Sequence, residues 1–278
     1  MAAIEVLEIH THSTASDGEL SPSSLAALLI EKGVDLWSLT DHDTVAGCRE
    51  AMKAVEGTDL RFVTGIEVSA DLDGKSVHVL GYGVDLDDAR LKSYGDEMVG
   101  ARRDRMAGMV DRLNDLGVEV TMEDVEQISD GGNMCRPHLA RALLKRGEVE
   151  SIQQAFDRWI GNSRPGYVTM SRPSVAETIA MLQDAGGLVV LAHPARYGDL
   201  SDHFGRWKEL GLWGLEARHP SHNRAAESRL VRLAQRHGLG TTASNDWHGH
   251  QPKDRERLGR VSFPEQWREP FLEALFSK

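Results

Sequence analysis

Seven short apolar runs, each five to seven residues long, recur along the chain at residues 4–9, 35–39, 61–66, 76–82, 188–192, 212–216 and 239–243. Several are nearly continuous in Leu, Val and Ile, the pattern of parallel strands covered on both faces. Helical signals fall between many of them. Ser21 can cap a helix that begins at Pro22, and Ser174 with Glu177 has capping-box spacing before an apolar stretch closed by Gly186-Gly187. Such alternation predicts an α/β fold built on a parallel sheet.

Residues 95–170 break the alternation and read as helices. A long helix is expected at about 94–116, where Met98, Met106, Met109, Leu113 and Leu116 recur at helical spacing. At 100° per residue they cover a stripe about 80° wide. Arg102 projects into its middle and Arg105 onto its edge, whereas Arg103 points away. Further helices suit 122–129, 137–146 and 151–160. The expected organisation is therefore a barrel domain, 1–94 with 171–278, interrupted by a helical cap over 95–170. The barrel part has about 200 residues, too few for eight strand–helix units of about 250 residues and suited to seven.

The polar residues that end the apolar runs carry the chemistry. His10 and His12 follow the first run two residues apart, so on extended backbone both face one side and can reach one ion. Asp17 lies in the same loop; His42 follows the second run and Glu67 the third; His78 lies within the fourth; His193 ends the fifth and Asp246 and His248 the last. In a parallel barrel the C-terminal strand ends converge on one face, where active sites are built. Nine N and O donors exceed what one ion takes, so two or three ions are implied. No cysteine is among them, which suits divalent Mn, Fe or Zn. Asp41 and Asp43 flank His42, and Asp41 is expected to orient a ligand imidazole.

Composition limits the partners. The net charge of −11 disfavours binding to long nucleic acid, whose affinity rests on clustered cations. No apolar run is long enough to span a bilayer, and the N-terminal residues lack a basic-then-apolar signal, so a cytoplasmic location is expected. Two cysteines, Cys48 and Cys135, make no disulfide framework.

The segments HTHSTASDG, TDHD, GIE, SVHVLG, AHP and SNDWHG resemble, in order, the motifs of the PHP (polymerase and histidinol phosphatase) family, from residue 8 to about 250. The resemblance implies a distorted (β/α)7 barrel and a trinuclear site for phosphoester hydrolysis. It assigns His10, His12, Glu67 and Asp246 to a first metal; Glu67, His78 and His193 to a second; and Asp17, His42 and His248 to a third. Many relatives have His where this chain has Asp17. The implied cofactors are two to three divalent ions, Mn2+ foremost, with Fe2+, Zn2+ and Mg2+ as alternatives.

The helical segment, Asn133–His138 and Arg164-Pro165-Gly166-Tyr167 resemble the family's nucleotide-processing branch of nucleoside 3′,5′-bisphosphate phosphatases and a 5′-to-3′ exoribonuclease. There, basic residues of the insertion hold a second phosphate. Arg102, Arg105, Arg136, His138 and Arg164 are the corresponding candidates, with Arg102 and Arg136 as the principal clamp. His219 and His222 could donate a proton to the leaving group, and His222 completes the candidate substrate-facing set. The expected reaction is hydrolysis of a small nucleotide's phosphomonoester, the 3′-phosphate of a nucleoside 3′,5′-bisphosphate, by a hydroxide bridging the first two metals. The alternatives are dihydrolysis of a phosphoribosyl cyclic phosphate, 5′-to-3′ cleavage of short RNA, an amidohydrolase reaction, or a non-catalytic metal- or nucleotide-binding module.

Overall fold

The computed structural model describes residues 4–277. Its sheet has seven strands in sequence order: β1 (Leu7–Glu8), β2 (Leu36–Leu39), β3 (Arg61–Leu72), β4 (Lys75–Tyr82), β5 (Leu188–Leu191), β6 (Leu212–Arg218) and β7 (Gly240–Ala243). The sheet curls until the segments after β1 and β7 meet. Thr11 and Trp247 form a parallel bridge there, with His12 N–H donating to Trp247 O at 2.8 Å and Trp247 N–H to His10 O at 3.1 Å. Each of the seven expected runs overlaps one strand, and the fold is a distorted (β/α)7 barrel.

One expectation fails. The sheet is not wholly parallel, because β4 runs antiparallel to both β3 and β5. The reason is local. Asp73 (φ 51°) and Gly74 (φ 79°) make a two-residue turn with both φ positive, which joins only antiparallel neighbours. β3 also runs six residues beyond the expected end at 66 to reach that hairpin. β1 is shorter than its run, because the Asp35 carboxylate takes the amides of Glu5 and Val6 at 2.8 Å each.

Strand alternation sorts the core. Leu80 and Tyr82 face one cluster with Leu188, Val190 and Phe271, while Val77, Val79, Val189 and Leu191 face another. His78 shares the parity of Leu80 and Tyr82, so it points to the barrel interior. The helix Glu265–Phe276 packs Trp267 and Phe271 into the same cluster.

Between β4 and the helix Val175–Asp184 that precedes β5 lie the helices Ala89–Asp115, Met122–Ser129, Arg136–Arg146 and Ile152–Ala155, the last running on as one π-helical turn to Ile160. They share a core of their own around Met106, Met109, Leu113, Leu139 and Leu143. Leu116, expected in the stripe, is 48% exposed, because the helix ends at Asp115 and Leu116 is its C-cap. Arg103 is exposed and pairs with Glu126 at 2.7 Å. Among the described residues no helix is long and apolar enough to cross a membrane.

Candidate metal centre

The loop HTHSTASDG is held by a carboxylate. Asp41 accepts from Ser13 N–H and Ser13 Oγ at 2.7 Å each and from Ser16 Oγ at 2.6 Å. Asp41 thus orients the loop that carries His10, His12 and Asp17, not an imidazole as expected. Gly18 closes the loop, and a Cβ there would collide with the His12 carbonyl. Of six non-glycine residues with positive φ among the described residues, three stand at this centre: Asp43 (55°), His193 (31°) and Asp246 (48°). Strained backbone of this kind persists only where its surroundings fix it.

The nine residues converge. His10 Nε2 and His12 Nε2 each lie 3.3 Å from Glu67 Oε2 and 3.3 Å from Asp246 Oδ1. All four atoms are buried without a hydrogen-bond partner. Orphaned buried polar atoms are costly unless something occupies the space between them. Four ligands set tetrahedrally about 2.0–2.1 Å from one ion stand about 3.3 Å apart, so the set fits a metal. His42, Glu67 and His78 form a second group, and His193 Nε2 joins it 3.0 Å from Glu67 Oε1. His12, Asp17, His42 and His248 form a third. His12 and His42 each fall in two groups, a sharing the sequence does not reveal.

The charge balance agrees. Burial alone would raise the carboxyls of Glu67 and Asp246, yet the surrounding imidazoles outweigh it and hold both well below the ordinary range. Burial pushes His193 down to about 4, whereas Glu67 and Asp246 overcome burial to raise His10 and push His12 up to about 10; metal binding at His10 and His12 would release those protons. Divalent cations would neutralise this anionic cluster.

A layer behind the donors fixes them. Glu216, fully buried, lies 2.9 Å from His10 Nδ1, accepts His193 N–H at 2.7 Å and takes the hydroxyl of Ser244. Its carboxyl falls to about 2: burial opposes this, but His10 and neighbouring histidines prevail. Glu216 keeps the proton on His10 Nδ1 and turns Nε2 inward. It went unnoticed in sequence because it ends an apolar run without a recognisable motif; its signal was a lone carboxylate in a buried strand. His219 accepts Ser221 N–H on Nδ1 at 3.0 Å, so its Nε2 donates to Asp246 Oδ2 at 3.1 Å. This contact orients the Asp246 carboxylate. His222 gives Nδ1–H to Ala217 O at 2.9 Å and lines no part of the cavity over the metal cluster.

That cavity holds about 220 Å³, with Asp17, His42, Glu67, His78, His193, Asp246 and His248 below and five arginines around. Arg102 is not a free clamp. Its Nε and Nη2 grip Asp43, Nη2 also reaches Ser69 Oγ, and Nη1 reaches Met134 O and Cys135 Sγ. Every N–H is committed, and Arg102 ties the long helix to the loop after β2. Asp43 is completed by Ser69 N–H and Tyr94 Oη, both at 2.5 Å.

Arg105, Arg136 and Arg172 differ, since none pairs with a carboxylate among the described residues. Arg105 donates Nε–H to Val168 O at 2.8 Å and leaves Nη2 buried and unpartnered. Burial first, then Arg136 and Arg172, bring it down to about 10. Arg136 reaches Asn162 Oδ1 at 2.9 Å and stacks its guanidinium on Phe156 and Tyr167 at 5.6 Å. Arg172 has a buried, unpartnered Nε. Arg196, 54% exposed, stands 4.0 Å from Asp246 Oδ2. Neither Arg172 nor Arg196 was anticipated, because exposed-looking arginines near Pro carry no motif. His138 does not face the cavity; its Nδ1 accepts Cys135 N–H at 3.0 Å and caps the helix Arg136–Arg146. Arg164 is exposed and away from the cavity.

Comparison with known proteins decides the family. The PHP domain model matches residues 8–210. The chain belongs to the PHP family. It is a metal-dependent hydrolase of phosphoric esters. Among relatives of this PHP protein, a 5′-3′ exoribonuclease of Haemophilus influenzae is 29% identical over 87% of this chain and 89% of its own. A 3′,5′-nucleoside bisphosphate phosphatase of Chromobacterium violaceum is 29% identical over 87% of each. A solved Bifidobacterium adolescentis protein, assigned as a metal-dependent phosphoesterase, superposes with a TM-score of 0.87 at 30% identity, over 99% of this chain and 98% of its own.

Proposed function

We propose that the protein removes the 3′-phosphate from small nucleoside 3′,5′-bisphosphates. One observation carries this reading: three guanidiniums without a carboxylate, Arg105, Arg136 and Arg172, line the same 220 Å³ cavity as the metal cluster. In a chain of net charge −11, one buried and two half-buried guanidiniums without a carboxylate invite an anion. A substrate with two phosphates meets both ends. The bisphosphate phosphatase relative supports this choice.

His10, His12, Glu67 and Asp246 would hold one ion, Glu67, His78 and His193 a second, and Asp17, His42 and His248 a third, with Mn2+ suited to this N/O set. Divalent ions there supply an activated water at neutral pH and Lewis-acid polarisation of the phosphoryl oxygens. The protein's own part is orientation. Glu216 and His219 aim His10 and Asp246, and Arg105 and Arg136 seat the remote phosphate so that the 3′ ester lies over the cluster. Binding energy gained there positions the reacting group. The residues 95–170 act as the cap that brings these arginines over the barrel mouth. A free-nucleotide substrate of this kind supports the cytoplasmic location expected from the sequence.

A second reading, 5′-to-3′ cleavage of short RNA, draws on the exoribonuclease relative and on exposed Arg196 beside Asp246, where a following phosphate could lie. The test is phosphate release by Arg136→Ala from a bisphosphate and from a simple aryl phosphate. Loss on the bisphosphate alone supports the clamp, and equal loss on both refutes it.

A further inference from the structure

His193 has φ 31° and ψ 54° and precedes Pro194. A residue before proline is driven toward extended backbone, so this left-handed conformation is doubly unfavourable. Two contacts hold it. Its N–H donates to Glu216 Oε2 at 2.7 Å, and its Nδ1 meets Tyr197 Oη at 2.8 Å. Tyr197 ends the 3-10 turn Pro194–Tyr197 that His193 begins. The same phenolic oxygen accepts His78 N–H from β4 at 2.9 Å. One hydroxyl therefore touches both histidines that converge on Glu67 Oε1, His78 through Nδ1 at 2.9 Å and His193 through Nε2 at 3.0 Å.

The geometry points to Tyr197 as the positioning residue of the second ion: its hydroxyl fixes the His193 ring and the His78 backbone on one side of Glu67. This rests on the metal reading of Glu67, His78 and His193 given above. With Nε2 offered to an ion, Nδ1 carries the ring proton and donates it to Tyr197 Oη. The two oxygen lone pairs are then used, one by each histidine. His10 is backed differently, by the Glu216 carboxylate. A carboxylate raises the basicity of the imidazole it touches, whereas a neutral phenol only orients it. The ion on His78 and His193 is accordingly the weaker one.

The experiment uses the full chain, stripped with a chelator and titrated with Mn2+ by calorimetry and by electron paramagnetic resonance, as wild type and as Tyr197→Phe. The wild type should take up more than one ion, the first more tightly. Tyr197→Phe should keep that first affinity and weaken a later ion about 10–100-fold. Turnover at saturating Mn2+ should recover, so the change falls on the Mn2+ dependence and not on kcat. Superimposable isotherms would overturn the proposal. So would loss of the first ion together with the others, which would make the hydroxyl a general prop of the fold. A wild type that binds a single ion would instead refute the metal reading beneath it.

Discussion

Replacing Arg102 by leucine should damage stability far more than substrate choice. Arg102 is 6% exposed and Asp43 not at all, and the two are joined through Nε and Nη2. Arg102→Leu strands a buried carboxylate that keeps only Ser69 N–H and Tyr94 Oη. Removing one partner of a buried pair costs about 3–5 kcal/mol. At about 2–4 °C per kcal/mol in a chain of this size, the thermal midpoint should fall about 6–20 °C. Burial alone would raise the Asp43 carboxyl; Arg102 reverses that and holds it below 3.8. A carboxyl with a depressed folded pKa stabilises above its unfolded value, and that support is lost as pH falls through the folded one. In Arg102→Leu burial prevails and Asp43 gains a proton on folding, so the deficit should shrink as pH falls toward 3.8. The double variant with Asp43→Asn should recover at least half of the loss, since replacing both partners is often nearly neutral. The assay is calorimetric and urea unfolding of the four proteins of this cycle, with the bisphosphate-to-aryl-phosphate preference measured beside it. A single-variant loss below about 1 kcal/mol, the value of an exposed pair, would refute the reasoning. So would a collapse of the substrate preference with the fold intact.

Arg136→Ala should lower kcat/KM on a nucleoside 3′,5′-bisphosphate by about 10–150-fold, from about 1.5–3 kcal/mol per charged hydrogen bond, and leave aryl phosphate hydrolysis nearly unchanged. Asp246→Asn should abolish turnover on every substrate while circular dichroism stays native; residual activity would remove Asp246 from the centre. Glu216→Gln should weaken binding of the first ion about 10–100-fold, read by metal titration. Burial lowers His138 to about 4, so the unfolded chain binds its proton first, and stability should fall as pH drops from 6.5 toward 4. His138→Asn keeps an acceptor for Cys135 N–H and cannot titrate, so denaturation midpoints of that variant should fall less over the same interval.

Much of the candidate site was legible because most of its donors follow the ends of apolar runs. His10, His12, Glu67, His193 and Asp246 each close an apolar run, and such run ends converge in a barrel. The direction of β4 was also written in the chain, in Leu72-Asp73-Gly74-Lys75, but the surrounding alternation suggested parallel strands. The supporting groups were harder to see. Glu216 and Tyr197 act through contacts made only in the fold, and neither belongs to a spacing pattern. The Arg102 reading shows the limit of helical periodicity. The stripe located a buried guanidinium correctly, but its partner, Asp43, lies 59 residues away on the loop after β2. Periodicity places a side chain on a face and says nothing of what faces it. Arg172 was missed for the same reason, since only the fold brings it beside Arg105 and Arg136.

The most direct test is phosphate release from adenosine 3′,5′-bisphosphate by the Mn2+-loaded protein, with products identified. The account predicts one equivalent of phosphate and AMP carrying its phosphate at the 5′ position. Absence of release from this substrate, from aryl phosphates and from short 5′-phosphorylated RNA, with metal bound, would contradict it.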